Sequence, residues 1–130
     1  MSGGGLVSLD DKLLALLGTG GLNSLGLPKR EIFLIDIVIA GTSFCPEIWD
    51  VAPTLAEETL LRMVRKPKNE YDEHAIALYK GDIRIGWVPQ ELNLIISRLM
   101  DAGKEFYAKV TSKKLINDWW RIKAKIYMVE

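Results

Sequence analysis

The stretch that closes the chain constrains the fold most. From Trp119 to Val129 the side chains alternate: Trp120, Ile122, Ala124, Ile126 and Met128 point one way, and Trp119, Arg121, Lys123, Lys125 and Tyr127 the other. A period of two over this length describes a β-strand with one face in a core and one in water. Such a strand cannot stand alone, and the upstream sequence offers partners. Ile32 to Ala40 is an almost unbroken apolar run rich in β-branched residues, as expected of a strand buried on both faces, within which Asp36 would need a partner. Thr59 to Lys66 and Lys104 to Thr111 are further strand candidates. Ala75 to Tyr79 and Ile83 to Val88, joined by Lys80-Gly81-Asp82, form a hairpin in which Ile83, Ile85 and Trp87 share a face.

One main helix is expected after the hairpin. Pro89 suits its first position, Leu92, Ile95, Ile96 and Leu99 recur at helical spacing, and Gly103 is placed to end it. Gly41 to Pro53 reads as irregular, punctuated by Pro46 and Pro53. The predicted class is mainly β with helices: a small, curled, six-stranded OB-like β-barrel with one main helix, a flat α+β sheet being the alternative. Residues 1–28 form a separate N-terminal segment. Its short leucine-rich helix runs from Leu9 to Leu17, with Ser8 as cap and Asp10 and Asp11 in the first turn. Its apolar face packs on the domain or meets a protein partner. Residues 29–130 form the domain itself.

The 130 residues suit one domain, and 48% hydrophobic with 26% charged residues is the composition of a folded chain. No apolar run approaches the roughly 18 residues of a membrane span. Nor does the N-terminus resemble a secretory signal, since no cation precedes its leucines except Lys12 beside two aspartates. With Cys45 the only cysteine, no disulfide framework is possible. An intracellular soluble domain is expected. Net charge is zero but unevenly spread. Residues 1–61 carry three cations against eight acids, net −5, and residues 62–130 fourteen against nine, net +5. The C-terminal half can therefore attract a polyanion in spite of the neutral total.

Catalytic apparatus is sparse. His74 is the only histidine, so neither a multi-histidine metal site nor a histidine pair is available. Cys45 beside an apolar strand reads as inert core rather than as a nucleophile served by His74. Glu70, Asp72 and Glu73 cluster as acids on a turn, where solvated carboxylates are commoner than metal ligands. No phosphate-binding glycine loop occurs, and no cofactor is implied.

The informative stretch runs from Arg62 to Leu78. Arg62, Arg65, Lys66 and Lys68 lead into a turn containing Pro67, Asn69 and Asp72, followed at once by an apolar strand. Asn and Asp form turns because their side chains accept hydrogen bonds from nearby backbone N–H groups. Tyr71, between them, either packs locally or projects from the turn, where a nucleobase could stack on it while neighbouring cations meet phosphates.

Residues Arg65-Lys66-Pro67-Lys68-Asn69-Glu70-Tyr71-Asp72-Glu73-His74-Ala75-Ile76-Ala77-Leu78 resemble the core signature of the HIRAN family: a charged pair, Pro, then Asn-x-Tyr-Asp-x-x-Ala and alternating apolar residues. Ala40-Gly41-Thr42-Ser43-Phe44 is similar to its Val-Gly-x-x-aromatic element, and Ile85-Gly86-Trp87-Val88-Pro89-Gln90-Glu91-Leu92 to its Ile-Gly-aromatic-apolar-Pro-x-x-Leu element. The resemblance covers about residues 32–128. It implies an OB-like barrel that, in fork-remodelling helicases, grips the 3′-hydroxyl end of single-stranded DNA without a reaction of its own. Carried over, Tyr71 and Phe44 would stack terminal bases, Asp72 would accept a hydrogen bond from the 3′-hydroxyl, and Asn69 would fix the turn or touch the base. Trp87 stands where helicase members can carry histidine, and Trp119 or Trp120 matches an aromatic near the start of the last strand.

Two departures bear on end recognition. Ser43 stands where the DNA-end binders have an arginine, and Phe44 lacks a tyrosine hydroxyl. Arg65, Lys66, Lys68 and the row Arg121, Lys123 and Lys125 are the candidate substitute phosphate contacts, and the long loop Cys45 to Glu58 is expected to lie across the groove or reshape it. The other function class left open is a protein-interaction module using the groove or the N-terminal helix.

Overall fold

The computed structural model describes residues 30–130. The N-terminal helix expected over Leu9–Leu17 lies outside the described residues. Residues Ile32–Val129 form one compact unit. Its strands are β1 (Glu31–Val38), β2 (Leu60–Arg65), β3 (Ile76–Lys80), β4 (Ile83–Trp87), β5 (Glu105–Ile116) and β6 (Trp119–Val129). Two helices interrupt them, the single turn α1 (Ile48–Val51) and the main helix α2 (Asn93–Asp101). Among the described residues no helix is long and apolar enough to cross a membrane.

The strands form one six-stranded sheet in the order β1-β6-β5-β2-β3-β4. It is not a closed barrel. The two end strands meet at a single bridge just beyond β1, where Ala40 and Trp87 exchange backbone hydrogen bonds of 2.9 and 2.8 Å. The chain one residue earlier remains tied to β6, Ile39 N–H donating to the Ile122 carbonyl at 2.8 Å. Bringing the ends together requires the sheet to curl, and its concave side is filled by Ile37, Ile39, Leu61, Leu78, Ile85, Val110, Ile122 and Ile126.

The alternation of β6 is as expected: Ile122, Ala124 and Ile126 are buried, with Arg121, Lys123 and Lys125 on the other side. β5 extends beyond the expected Thr111. A register shift between Val110 and Ser112 is followed by continued pairing to Ile116↔Trp119. Asn117 turns the hairpin with φ 55°, a conformation Asn tolerates better than most residues.

Four expectations need correction. β1 is not buried on both faces. It lies at one end of the sheet, and Phe33, Leu34 and Val38 are exposed. Asp36 therefore faces water and pairs with Lys125 at 2.9 Å, so its burial cost does not arise. The segment Cys45 to Glu58 does not lie across a groove. Cys45, Ile48, Val51, Ala52 and Leu55 are core residues, folded through α1 and short 3-10 turns, so the segment plugs the curl of the sheet. In α2 the buried face carries Asn93, Ile96 and Ser97, while Ile95 is exposed. The helix begins at Asn93 rather than at Pro89, whose carbonyl accepts from Leu92 N–H at 2.9 Å. Its end is as expected. Gly103, at φ +100°, lets Lys104 N–H reach the Leu99 carbonyl at 3.0 Å and Gly103 N–H reach that of Met100 at 2.9 Å, the paired bonds of a Schellman stop.

Gly86 makes the curl possible. A Cβ there would lie 2.4 Å from Ile39 Cγ2 and 2.7 Å from the Ala40 carbonyl oxygen, so two backbones meet where only hydrogen fits. Gly86→Ala is expected to lose roughly 3 kcal/mol in urea unfolding, the upper end of overpacking costs. Gly81→Ala, at φ +60° with nothing within 4 Å of the added Cβ, should lose only about 1 kcal/mol. Equal losses would show that Gly86 carries no special constraint.

Candidate nucleic-acid interface

The bridge between the ends of the sheet carries the three sequence elements to one place. Ala40, Gly41 and Phe44 from the turn after β1, Asn69, Tyr71 and Asp72 from the β2–β3 turn, and Arg84, Trp87, Val88, Gln90 and Asn93 from β4 to α2 line one cleft of about 770 Å³. Gly41 adopts φ 69°, and a Cβ on it would stand 2.9 Å from Trp87 Cδ1. The turn therefore lies directly against the tryptophan ring, with Phe44 projecting beside it.

The Pro67–His74 turn is held by polar bonds rather than by packing. Asn69 Oδ1 accepts from Tyr71 N–H at 2.9 Å and from Asp72 N–H at 3.0 Å, which answers whether Asn69 shapes the turn. Asp72 Oδ1 accepts from His74 N–H at 2.8 Å and Asp72 Oδ2 from Asn93 Nδ2 at 2.7 Å. Ser97, one helical turn beyond Asn93, lies 3.3 Å from His74 Nδ1. These two contacts explain why α2 buries polar residues: Asn93 and Ser97, four apart on one face, hold the turn's Asp72 and His74.

Arg65 completes the clamp. Its Nε and Nη2 grip the Asp101 carboxylate at 2.8 and 3.1 Å, while Nη1 donates to the Ala75 carbonyl at 2.8 Å and Nη2 to that of Glu73 at 3.0 Å. Its side chain is only 13% exposed. The sequence reading offered Arg65 as a phosphate contact, but all three of its nitrogens are already engaged in fixing the turn. With the backbone so constrained, Tyr71 projects into water at 86% exposure and Phe44 at 81%. The tyrosine is thus not packed locally. Asp72, partly buried, lines the same cleft.

The remaining candidates divide. Lys66 and Lys68 line a second groove of about 430 Å³ with Arg65, Pro67, Asn69, Arg84 and Trp87. Lys66 Nζ also stands 5.4 Å from the Tyr79 ring centre. Trp119, Trp120 and Arg121 are on β6 and do not line either space. Trp120 packs against the core and edge-on to Trp49 at 6.1 Å, while Trp119 is the more exposed of the two. Lys125 is committed to Asp36 and to the Phe33 ring. Sequence reasoning missed Arg84, Gln90 and Asn93. A register shift opposite Leu78/Tyr79 leaves Ile85 without a partner in the β3–β4 ladder, so strict alternation fails there. Ile83 and Ile85 pack on the core, whereas Trp87 joins Arg84, whose guanidinium carbon is 5.0 Å from the tryptophan ring centre. Cys45 and His74 have separate roles, one buried in the core and the other beside Ser97.

The Asn93 amide, donating to Asp72, holds that carboxyl below its ordinary value of 3.8; the His74 backbone N–H and the charges of His74 and Arg65 act in the same direction, and burial opposes them. A carboxyl depressed by folding contributes stability that is complete above its unfolded value and is lost as pH falls through the lower folded value. Asn93→Ala should move the Asp72 titration upward toward 3.8 in carboxyl NMR and flatten the acid limb of the stability curve. An unmoved Asp72 titration would remove Asn93 as the main cause.

The HIRAN domain family model matches residues 32–129. Among solved structures, a Lactobacillus plantarum protein is similar with a TM-score of 0.73 and 20% identity, over 79% of this chain and 99% of that one. The HIRAN domain of human HLTF is similar with a TM-score of 0.59 and 14% identity, over 76% of this chain and 78% of that one. No curated protein matches. Both structural likenesses speak to the fold, and the family match spans nearly all the described residues, including every residue that lines the cleft. This chain belongs to the HIRAN domain family.

Proposed function

We propose that the cleft binds the end of a single nucleic-acid strand, with a preference for a free 3′-hydroxyl, and performs no reaction on it. The family is one of nucleic-acid-binding modules, and the finer assignment rests on the cleft. The observation that carries it is the juxtaposition of three rings with one carboxylate. Phe44, Tyr71 and Trp87 border the same space as Asp72. Solvent-exposed aromatic rings on a rigid turn are stacking surfaces, and every base has a face to offer them. Each oxygen of Asp72 accepts one hydrogen bond from the protein, which leaves lone pairs for a donor such as a hydroxyl. A phosphate at the same place would meet like charge, so the carboxylate discriminates between strand ends. It is ionised at neutral pH, as an aspartate ordinarily is.

A second reading, contact with a protein, is supported by the shallow apolar groove between β1 and α2, where Leu34, Leu94 and Ile95 are exposed. Salt separates the two. Strand binding weakens steeply as salt rises because phosphate contacts release counterions, whereas apolar contact changes little.

Fluorescence anisotropy with short single strands of defined ends, at two salt concentrations, tests the reading. Tyr71→Ala should weaken binding about 5- to 100-fold, as loss of one stacked base implies. Asp72→Ala and a 3′-phosphate should each weaken it by about tenfold or more. Equal affinity for hydroxyl and phosphate ends would eliminate end recognition, and absence of strand binding at low salt would eliminate the whole reading.

A further inference from the structure

Resting on the strand-end reading, we infer that Arg84 is the phosphate-binding residue at the junction of two grooves, and that the ligand is an oligonucleotide whose second phosphate reaches Lys66 and Lys68. Arg84 is the one cation among the residues lining the main cleft. Its guanidinium lies over Trp87, and its Nε is buried with no hydrogen-bond partner among the described residues. Among the described residues the guanidinium makes no hydrogen bond or ion pair with the protein, so its terminal nitrogens keep their donors for an anion that enters the cleft. Arg65, by contrast, spends every nitrogen on protein acceptors. Both arginines border the second groove, one bound to the protein through all three nitrogens and the other without a protein acceptor among the described residues.

The position of Arg84 sets the path of the strand. Asn69, Arg84 and Trp87 line both the main cleft and the second groove, so the two spaces adjoin across these three side chains. A terminal nucleoside among Phe44, Tyr71 and Asp72 would leave the cleft past Trp87, placing its 5′-phosphate at Arg84. The next nucleotide would then enter the groove walled by Lys66, Pro67 and Lys68.

The test measures affinity against salt for 3′-hydroxyl strands of two and four nucleotides with wild type, Arg84→Met, Arg84→Lys and Lys66→Gln/Lys68→Gln. Arg84→Met should weaken both strands about 10- to 100-fold and lower the slope of log affinity against log salt by about 0.7, the increment for one phosphate on a single strand. Arg84→Lys should recover the slope and part of the affinity, which a folding defect would not do. The lysine pair should lower the slope for four nucleotides and leave two nucleotides unchanged. An unaltered slope in Arg84→Met, with Tyr71→Ala still defective, would overturn the inference and leave strand-end binding intact. Equal effects of the lysine pair on both lengths would overturn the path. If wild type binds neither strand, the strand-end reading falls and this inference falls with it.

Discussion

The structure depends on two backbones meeting where one of them, at Gly86, has no room for a side chain. Gly86 lies against Ile39 and the Ala40 carbonyl, and beside it Ala40 and Trp87 exchange a pair of hydrogen bonds. This bridge satisfies polar groups at the margin of the core and does with two bonds what a closed barrel does with a ladder. Its consequence is geometric. The turn from Gly41 to Phe44 is delivered to the ring of Trp87, and the cleft comes into being along that seam. A looser seam would separate Phe44 from Tyr71 and leave two isolated exposed rings.

The other wall is built on the opposite principle. The Pro67–His74 turn has little apolar support, so its shape comes from Asn69 accepting two backbone N–H groups and from Asn93, Ser97 and Arg65 reaching in from α2 and β2. Each bond is modest alone, about 1 kcal/mol net, but together they leave the turn few alternatives. Because hydrogen bonds hold the backbone, Tyr71 is not required as an anchor and can remain in water. The backbone that carries the ring is thereby fixed, while the exposed side chain keeps its own rotamer freedom.

Most of this was legible where pattern and chemistry agreed. The hairpin through Gly81, the alternation of β6 and the stop at Gly103 follow from local rules, and all three appear where expected. The resemblance of three short elements indicated which residues would converge. What was not legible traces to burial that inverts a side chain's usual meaning. Asn93 and Ser97 are polar and face inward because Asp72 and His74 wait there, so α2 is rotated from the face its leucines and isoleucines suggested. Arg65 is charged and structural, whereas Arg84, unremarked in sequence, shares the cleft with Trp87 because a register shift breaks the alternation of β4 and brings the tryptophan to the arginine's side. The segment from Cys45 to Leu55 carries few periodic signals, yet it fills the core with short turns.

The sequence by itself determined the β-rich class, the main helix, the turn at Asn69–Asp72 and the identity of the rings and carboxylate that meet in the cleft. The first three rest on residues near one another in the chain, where periodicity and turn chemistry act, and the last on the resemblance of three short elements to one family. Tertiary structure alone decided that the sheet stops short of closure, that β1 is an exposed end strand, that Trp119 and Trp120 do not line the cleft, and that Arg65 is held by protein acceptors while Arg84 lines the cleft. Those outcomes turn on contacts between residues far apart in the chain, Arg65 with Asp101 and Gly86 with Ile39 among them. The pairing of a charge and the space beside a glycine exist only once the distant partner has arrived.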